Sequence, residues 1–308
     1  MSKKKGFFLP VFLCVLLVYT TYVLLDTFVI VRRISAAAEV TNESVSEPSG
    51  SSLPAVFAET TDSTTPVLTE NSYTGNGISI SISEERIGDT TVYVADVQLS
   101  SADSLKTAFA ENSYGRNITD TTSSIAESVN AVLAINGDYY GVQQSGYVIR
   151  NGVLYRSKAK KGAEDLVIYR DGSFAIIQES EITAQELMEN GAWNVLSFGP
   201  ALIEDGEISV SVNDEVGRAK ADNPRTAIAV IDGLHYLFVV SDGRTSESQG
   251  LSLYELASYL QTKGAQTAYN LDGGGSSTMV FNGEVVNNPT SGGERIKERS
   301  VSDIVYIG

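Results

Sequence analysis

An uncharged run, Phe7–Leu25, constrains this chain more than any other segment. It is 19 residues long, follows Lys3, Lys4 and Lys5, resumes after Asp26 and ends at Val31, just before Arg32 and Arg33. About 20 apolar residues cross a bilayer core, and a cleaved signal peptide usually has a shorter apolar region. Residues 1–33 are therefore expected to form a cytoplasmic tail and a transmembrane signal-anchor, with residues 7–31 in the lipid bilayer. Asp26 falls near the outer end, where a charge is tolerated. Ala36-Ala37-Ala38 leaves cleavage as the alternative. Cations flank the run on both sides, so the positive-inside bias is weak. The long polar remainder is then the translocated part, outside the cell membrane.

Residues 34–75 are rich in Ser, Thr, Glu and Pro. Such a composition buries too little apolar surface to offset chain entropy, so a disordered stalk is expected. Cys14, the only cysteine, lies inside the apolar run. A disulfide framework and a multi-Cys metal site are excluded beyond it. That suits a bacterial cell envelope better than a disulfide-rich secreted domain. His235 is the only histidine, which excludes zinc sites built on two or three His. It enters a strand directly after a turn and G-x-S-x-G is absent, so a Ser-His-Asp triad finds no support. Twenty-two basic against 38 acidic residues give a net charge of −16. A nucleic-acid partner, which needs a basic face, is excluded.

Residues 76–308 contain no second linker and are expected to fold as one α+β domain of mixed or antiparallel sheets with a few helices. Ile78, Ile80 and Ile82 alternate with Ser, as in a half-buried strand, and Val92, Val94 and Val97 supply its hairpin partner. Asn151-Gly152, Asp171-Gly172 and Asp232-Gly233 each separate β-rich runs, a strong hairpin signal. Thr183 with Glu186, and Ser252 with Glu255, form capping boxes, and Gly191 and Gly264 follow as stops.

Apolar β-runs adjoin polar clusters in four places. They are Asn136-Gly137-Asp138-Tyr139-Tyr140, Asn223-Pro224-Arg225-Thr226, Ser241-Asp242-Gly243-Arg244 and Asn270-Leu271-Asp272-Gly273-Gly274-Gly275-Ser276-Ser277-Thr278. Loops carried on rigid strands commonly hold catalytic groups. Three glycines after Asp272 allow close backbone approach and an anion-binding nest; a plain Gly-rich turn is the alternative. No Gly-Lys-Ser/Thr follows, so this is not a Walker motif.

The order Asn223-Pro-Arg-Thr-Ala-Ile228, Asp242-Gly-Arg244, Gly250-Leu-Ser-Leu-Tyr-Glu-Leu256, Asn270 to Thr278, Asn282-Gly283 and Arg299-Ser-Val-Ser302 resembles the phosphodiester glycosidase family. The stretch Ala134–Tyr140 is similar to that family's Asn-Gly-Gly-Phe-Phe type of segment, with Asp138 replacing a Gly. The resemblance covers roughly Ala131 to Ile307. It implies hydrolysis of a glycosidic bond with a phosphodiester leaving group, in envelope or exopolysaccharide material. Glycosidases commonly use two carboxylates, and Asp242 and Asp272 are the expected pair, with Glu247 and Asp138 in reserve. Arg225, Arg244 and Arg299 would stabilise the departing phosphate. Gly273, Gly274, Gly275 and Ser276 would add N–H donors, with Ser277 beside them, and Asn136 and Asn270 would bind sugar hydroxyls. Tyr139 and Tyr140 could stack on the ring. No cofactor is required; Ca²⁺ is conceivable outside a cell, but no EF-hand spacing supports it. The competing reading is a non-catalytic module that binds wall polysaccharide or phosphopolymer through the same loops, and a third is a structural envelope protein without a ligand.

Overall fold

The structure, a computed structural model, describes residues 5–28, 30–33, 65–213, 222–291 and 295–308. The apolar run forms a helix, Lys5–Phe28. Among the described residues no helix is long and apolar enough to cross a membrane. The expected anchor is therefore not supported by the structure. Most of the expected stalk lies outside the described residues. Its last part does not behave as stalk: Val67–Leu68 and Ser72–Gly75 are strands on the edge of the main sheet. Ladder pairing uses backbone groups, which composition does not record.

Three antiparallel sheets enclose one core. The largest runs in the order Glu207–Ile208, Ala201–Glu204, Thr267–Asn270, Arg225–Asp232, His235–Ser241, Thr90–Leu99, Ile78–Ile87, Ser72–Gly75, Val67–Leu68. A second has Val153–Arg156, Val148–Arg150, Ala192–Leu196, Glu164–Tyr169 and Phe174–Gln178. The third has Glu284–Val285, Met279–Phe281, Leu133–Asn136, Asp303–Ile307 and Leu105–Phe109. The period-two alternation of strands explains the layering. Ile228, Val230, Phe238 and Val240 face the common core, joined there by Leu133, Ile135, Leu166, Ile168, Val305 and Ile307. The intervening Ala227, Ala229, Leu237 and Val239 face outward, under the helix Leu253–Thr262. Leu253, Leu256, Ala257 and Leu260 cover them. The helices Thr122–Ser128 and Ala184–Glu189 cover the other two sheets in the same way.

The four expected hairpins are present, including Ile78–Ile87 with Thr90–Leu99. Both capping boxes form, at Thr183 with Glu186 and at Ser252 with Glu255. His235 begins its strand and pairs with Asp96 across the sheet, Nε2 to Oδ1 at 3.0 Å. The architecture is the expected α+β domain, with antiparallel sheets throughout the described residues.

Candidate active site

The strands Leu133–Asn136, Thr267–Asn270 and Arg225–Asp232 bring three of the four polar clusters to one end of the fold. Asn136 ties them together. It is fully buried. Its Nδ2 donates to the Asp272 carbonyl at 2.6 Å, and its Oδ1 accepts from Thr226 Oγ1 at 2.9 Å and Thr278 N at 3.2 Å. Those bonds consume the amide, so Asn136 positions the Asp272 loop instead of offering a group to a sugar.

A cavity of about 170 Å³ opens there, lined by Phe198, Asn223, Arg225, Arg244, Asn270, Asp272, Gly273, Gly274 and Arg299. Three arginines thus line the same cavity as Asp272, and one of them, Arg299, pairs with it. Arg225 is buried, with Nε donating to the Leu251 carbonyl at 2.8 Å and its backbone N–H to Ser241 Oγ at 2.9 Å. Arg244 sits at φ 63° and donates from Nη2 to Asn223 Oδ1 at 3.1 Å. Arg299 donates from Nη2 to Asp272 Oδ2 at 2.8 Å and from Nε to Ser276 Oγ at 2.9 Å. Ser276 Oγ also donates to Asp272 Oδ2, at 2.6 Å. Both donors use Oδ2; among the described residues none reaches Oδ1. Burial pushes the Asp272 carboxyl above its ordinary range, and the Arg299 charge and the Ser276 hydroxyl oppose that rise.

Two of the loop glycines stand in close quarters. Gly274 has φ 62°, and a Cβ there would lie 2.7 Å from Arg244 Nη2. A Cβ on Gly273 would lie 2.9 Å from the Pro224 carbonyl oxygen. The Gly274 N–H donates to that carbonyl at 2.8 Å, and the Ser276 N–H to the Gly273 carbonyl at 3.3 Å. These N–H groups are committed within the protein. Gly274 leaves room for the Arg244 guanidinium beside the loop.

The expected carboxylate pair does not assemble around this cavity. Asp242 is buried and not part of its wall. Its Oδ1 accepts from Asn288 N at 2.8 Å and Asn287 Nδ2 at 3.2 Å, and its Oδ2 from Asn288 Nδ2 at 3.2 Å. It fastens the segment that leads to Thr290. Glu247 is exposed on the neighbouring loop, also outside the wall. Gly275 packs against Thr290 and Ser291. Ser277 is buried, and its carbonyl accepts from Asn287 Nδ2 at 3.0 Å. Asn270 does line the cavity; its Nδ2 donates to the Gly199 carbonyl at 2.8 Å, while its buried Oδ1 has no partner among the described residues.

Asp138 enters a different constellation. Arg150 Nη2 bridges Asp138 Oδ2 and Asp303 Oδ2, each at 2.8 Å, in the interior. Asp138 also accepts from Tyr140 N at 3.0 Å and Ser197 N at 2.8 Å. Burial and the neighbouring Asp138 charge push the Asp303 carboxyl up to about 8. Arg150 and Asp303 are not among the residues expected from the sequence. The one available signal was Arg150, a cation ending an apolar strand before the Asn151-Gly152 turn. Among the described residues no group of three or more His, Cys, Asp or Glu could hold a metal ion.

The fold and this cavity define a class. The profile of the phosphodiester glycosidase family matches residues 129–308, and the chain belongs to that family. Over 172 residues it is 27% identical to N-acetylglucosamine-1-phosphodiester alpha-N-acetylglucosaminidase of Mus musculus, covering 51% of this chain and 33% of that protein. It is 31% identical over 189 residues to the SPbeta prophage-derived protein YomE of Bacillus subtilis, covering 59% of this chain and 29% of that one. The chain thus spans about a third of the length of these relatives. In fold it is similar to the zebrafish N-acetylglucosamine-1-phosphodiester alpha-N-acetylglucosaminidase catalytic domain auto-inhibited by its pro-peptide. That likeness has a TM-score of 0.60 and 22% identity, covering 75% of this chain and 82% of that one. A Synechocystis protein gives 0.58, 16%, 75% and 62%.

Proposed function

We propose that the domain hydrolyses the glycosidic bond of a sugar-1-phosphodiester. The observation that carries this is the convergence of Arg225, Arg244 and Arg299 on the single carboxylate Asp272. In such a reaction positive charge develops at the anomeric carbon and negative charge on the leaving phosphate. A carboxylate beside guanidinium groups matches that separation, and preorganised charges of this kind supply much of an enzyme's effect. Phosphate leaves as a stabilised anion, so a second carboxyl to protonate it is less necessary. Asp272 meets the anomeric centre through Oδ1, because Arg299 and Ser276 hold Oδ2. Arg225, with its Nε fixed on a backbone carbonyl, and Arg244 receive the phosphate oxygens.

The test is incubation of the full chain with an N-acetylglucosamine-1-phosphodiester, monitoring release of free sugar and phosphomonoester. Failure on a panel of such diesters, with polymer retained in pull-downs, would favour the non-catalytic binding module. The separation of Asp242 from the cavity is the observation on that side.

The wider setting belongs to the same proposal. The uncharged run Phe7–Leu25 supports a single membrane anchor with the domain outside the cell, acting on envelope or exopolysaccharide diesters. External protease on intact cells should then release a fragment beginning within residues 39–75. A fully protected domain would rule this out.

A further inference from the structure

A second cavity, also about 170 Å³, lies against the same Asp272–Arg299 pair. Its remaining wall has a different chemistry. Tyr139, Val142, Thr119, Ser300 and Ser302 line it, and no guanidinium other than that of Arg299 does. Tyr139 is 42% exposed and Val142 41%. The adjacent Tyr140, by contrast, is buried and stacked on Tyr114, ring centroids 5.3 Å apart. Of the two tyrosines expected to meet a ring, one belongs to the core and one is presented beside a void. Asp138 also touches this cavity, but its oxygens are committed to Arg150, Tyr140 N and Ser197 N. What remains is an apolar wall with an aromatic ring and three short hydroxyl side chains. An apolar wall with a few placed polar groups is the usual make-up of a small-molecule subsite. An aromatic face with hydroxyls around it suits a pyranose, which presents C–H groups on its faces and hydroxyls at its rim.

We propose that this second cavity is the subsite for the sugar ring, with the phosphate in the arginine-lined cavity. The proposal rests on the hydrolytic reading above and deepens it. The connectivity of the substrate carries the argument. Ring and phosphate are joined through one bond, from the anomeric carbon to oxygen. The two cavities share one pair of wall residues, Asp272 and Arg299. With the phosphate among the guanidinium groups, the anomeric carbon falls at Asp272 and the ring enters the Tyr139 cavity. The step balances: the carbon–oxygen bond breaks with its electron pair going to the phosphate oxygen. Water oxygen bonds to the anomeric carbon and its proton leaves to solvent. The products are a free sugar and a phosphomonoester.

The experiment is a binding titration of the full chain with two separate probes, free N-acetylglucosamine and inorganic phosphate. Tyr139→Ala is expected to weaken the sugar about tenfold, a change of one decade in dissociation constant, and to leave phosphate within about twofold. Val142→Trp, which fills the cavity from an exposed position, should do the same by exclusion. Arg244→Ala should show the reverse pattern. Thermal unfolding of each variant separates these effects from misfolding. Phosphate weakened as much as sugar by Tyr139→Ala and Val142→Trp would overturn the assignment. So would sugar binding that survives both changes, or its absence in the unaltered chain. If sugar and phosphate binding separate as expected while no diester is cleaved, the hydrolytic reading falls and the subsite stands. If diesters are cleaved and the two do not separate, the subsite falls and the hydrolytic reading stands.

Discussion

The arginine cavity and the triad Asp138–Arg150–Asp303 are built from the same residue types and lie side by side. The Arg299 side chain is 45% exposed, whereas that of Arg150 is 2% exposed. Arg150 spends its donors on Asp138, Asp303 and the carbonyls of Ile149 and Val195. Arg299 is anchored through Asp272, Ser276 and Gly273, yet faces both cavities. A buried, saturated ion network fixes geometry; a partly open one can exchange its partner for a ligand. The two are mechanically linked. Gly137 N donates to the Asp303 carbonyl at 2.9 Å, and Asp272 N to the Gly137 carbonyl at 3.3 Å. The triad therefore sets where the Asp272 loop stands.

Breaking the buried side should be the larger effect. Arg150→Met leaves Asp138 and Asp303 in the interior without their cation. Removing one partner of a buried pair destabilises by about 3–5 kcal/mol. Urea unfolding should show a midpoint far below that of the unaltered chain. A shift of under about 1 kcal/mol would mean the triad does not hold the fold.

Asp272→Asn acts on the open side. It keeps the shape and removes the charge that the proposed reaction places at the anomeric centre. Turnover should fall about a hundredfold or more, the range expected of a positioned acid or base. Stability should hardly change, because burial already opposes ionisation of Asp272 and its cation is half in solvent. Equal losses of turnover and stability would erase the distinction between the two regions.

The sequence carried the open side better than the buried one, for a physical reason. Asp272, Arg225, Arg244 and Arg299 adjoin turns or strand ends, where a polar residue next to an apolar run is visible in a linear pattern. The hairpins and capping boxes were legible for the same reason: each is a contact across a few residues. The triad joins positions 138, 150 and 303, and no local period links residues 153 apart. Asp242 was expected as the partner of Asp272 from the resemblance and from the two carboxylates that glycosidases commonly use, and no local pattern shows what holds it. Only Asn287 and Asn288, in the segment that follows the third sheet's edge strand, reveal it as a fastener. The edge strands Val67–Leu68 and Ser72–Gly75 were illegible because the ladder that pairs them runs through backbone groups.

A finer test uses the proton content of the interior. Asp165 is fully buried, and among the described residues neither of its oxygens has a hydrogen-bond partner. Burial, then the neighbouring Glu179 carboxylate, push its carboxyl up to about 9 from 3.8, with Asp138 adding to the rise and Ser197 opposing it. The folded state therefore holds a proton that the unfolded chain releases near pH 4. Its contribution is complete below that pH and is lost as pH rises through about 9. The slope is at most about 1.4 kcal/mol per pH unit. Asp165→Asn is neutral at every pH and removes this term. Stability of the unaltered chain minus that of Asp165→Asn should decline between pH 6 and 9. A flat difference would show that Asp165 is ionised in the fold.

Asp242→Asn is expected to have the smallest effect on turnover and decides most about the site. If Asp242 were the second carboxylate of the reaction, its amide would match the Asp272→Asn loss. The geometry argues otherwise. Its carboxylate takes three donors from Asn287 and Asn288 and is not in the wall of either cavity. An Asn retains one acceptor and turns an N–H₂ toward donors, so about 1–3 kcal/mol of stability is lost through the unmet bonds. Turnover should stay within about tenfold, since only the position of Thr290 and Ser291 behind Gly275 is disturbed. Measured beside Asp272→Asn on one diester, a hundredfold loss at both positions would restore a two-carboxylate mechanism. A small loss at Asp242 with a lowered melting temperature leaves Asp272 as the carboxylate of the reaction and the arginines as its counterweight.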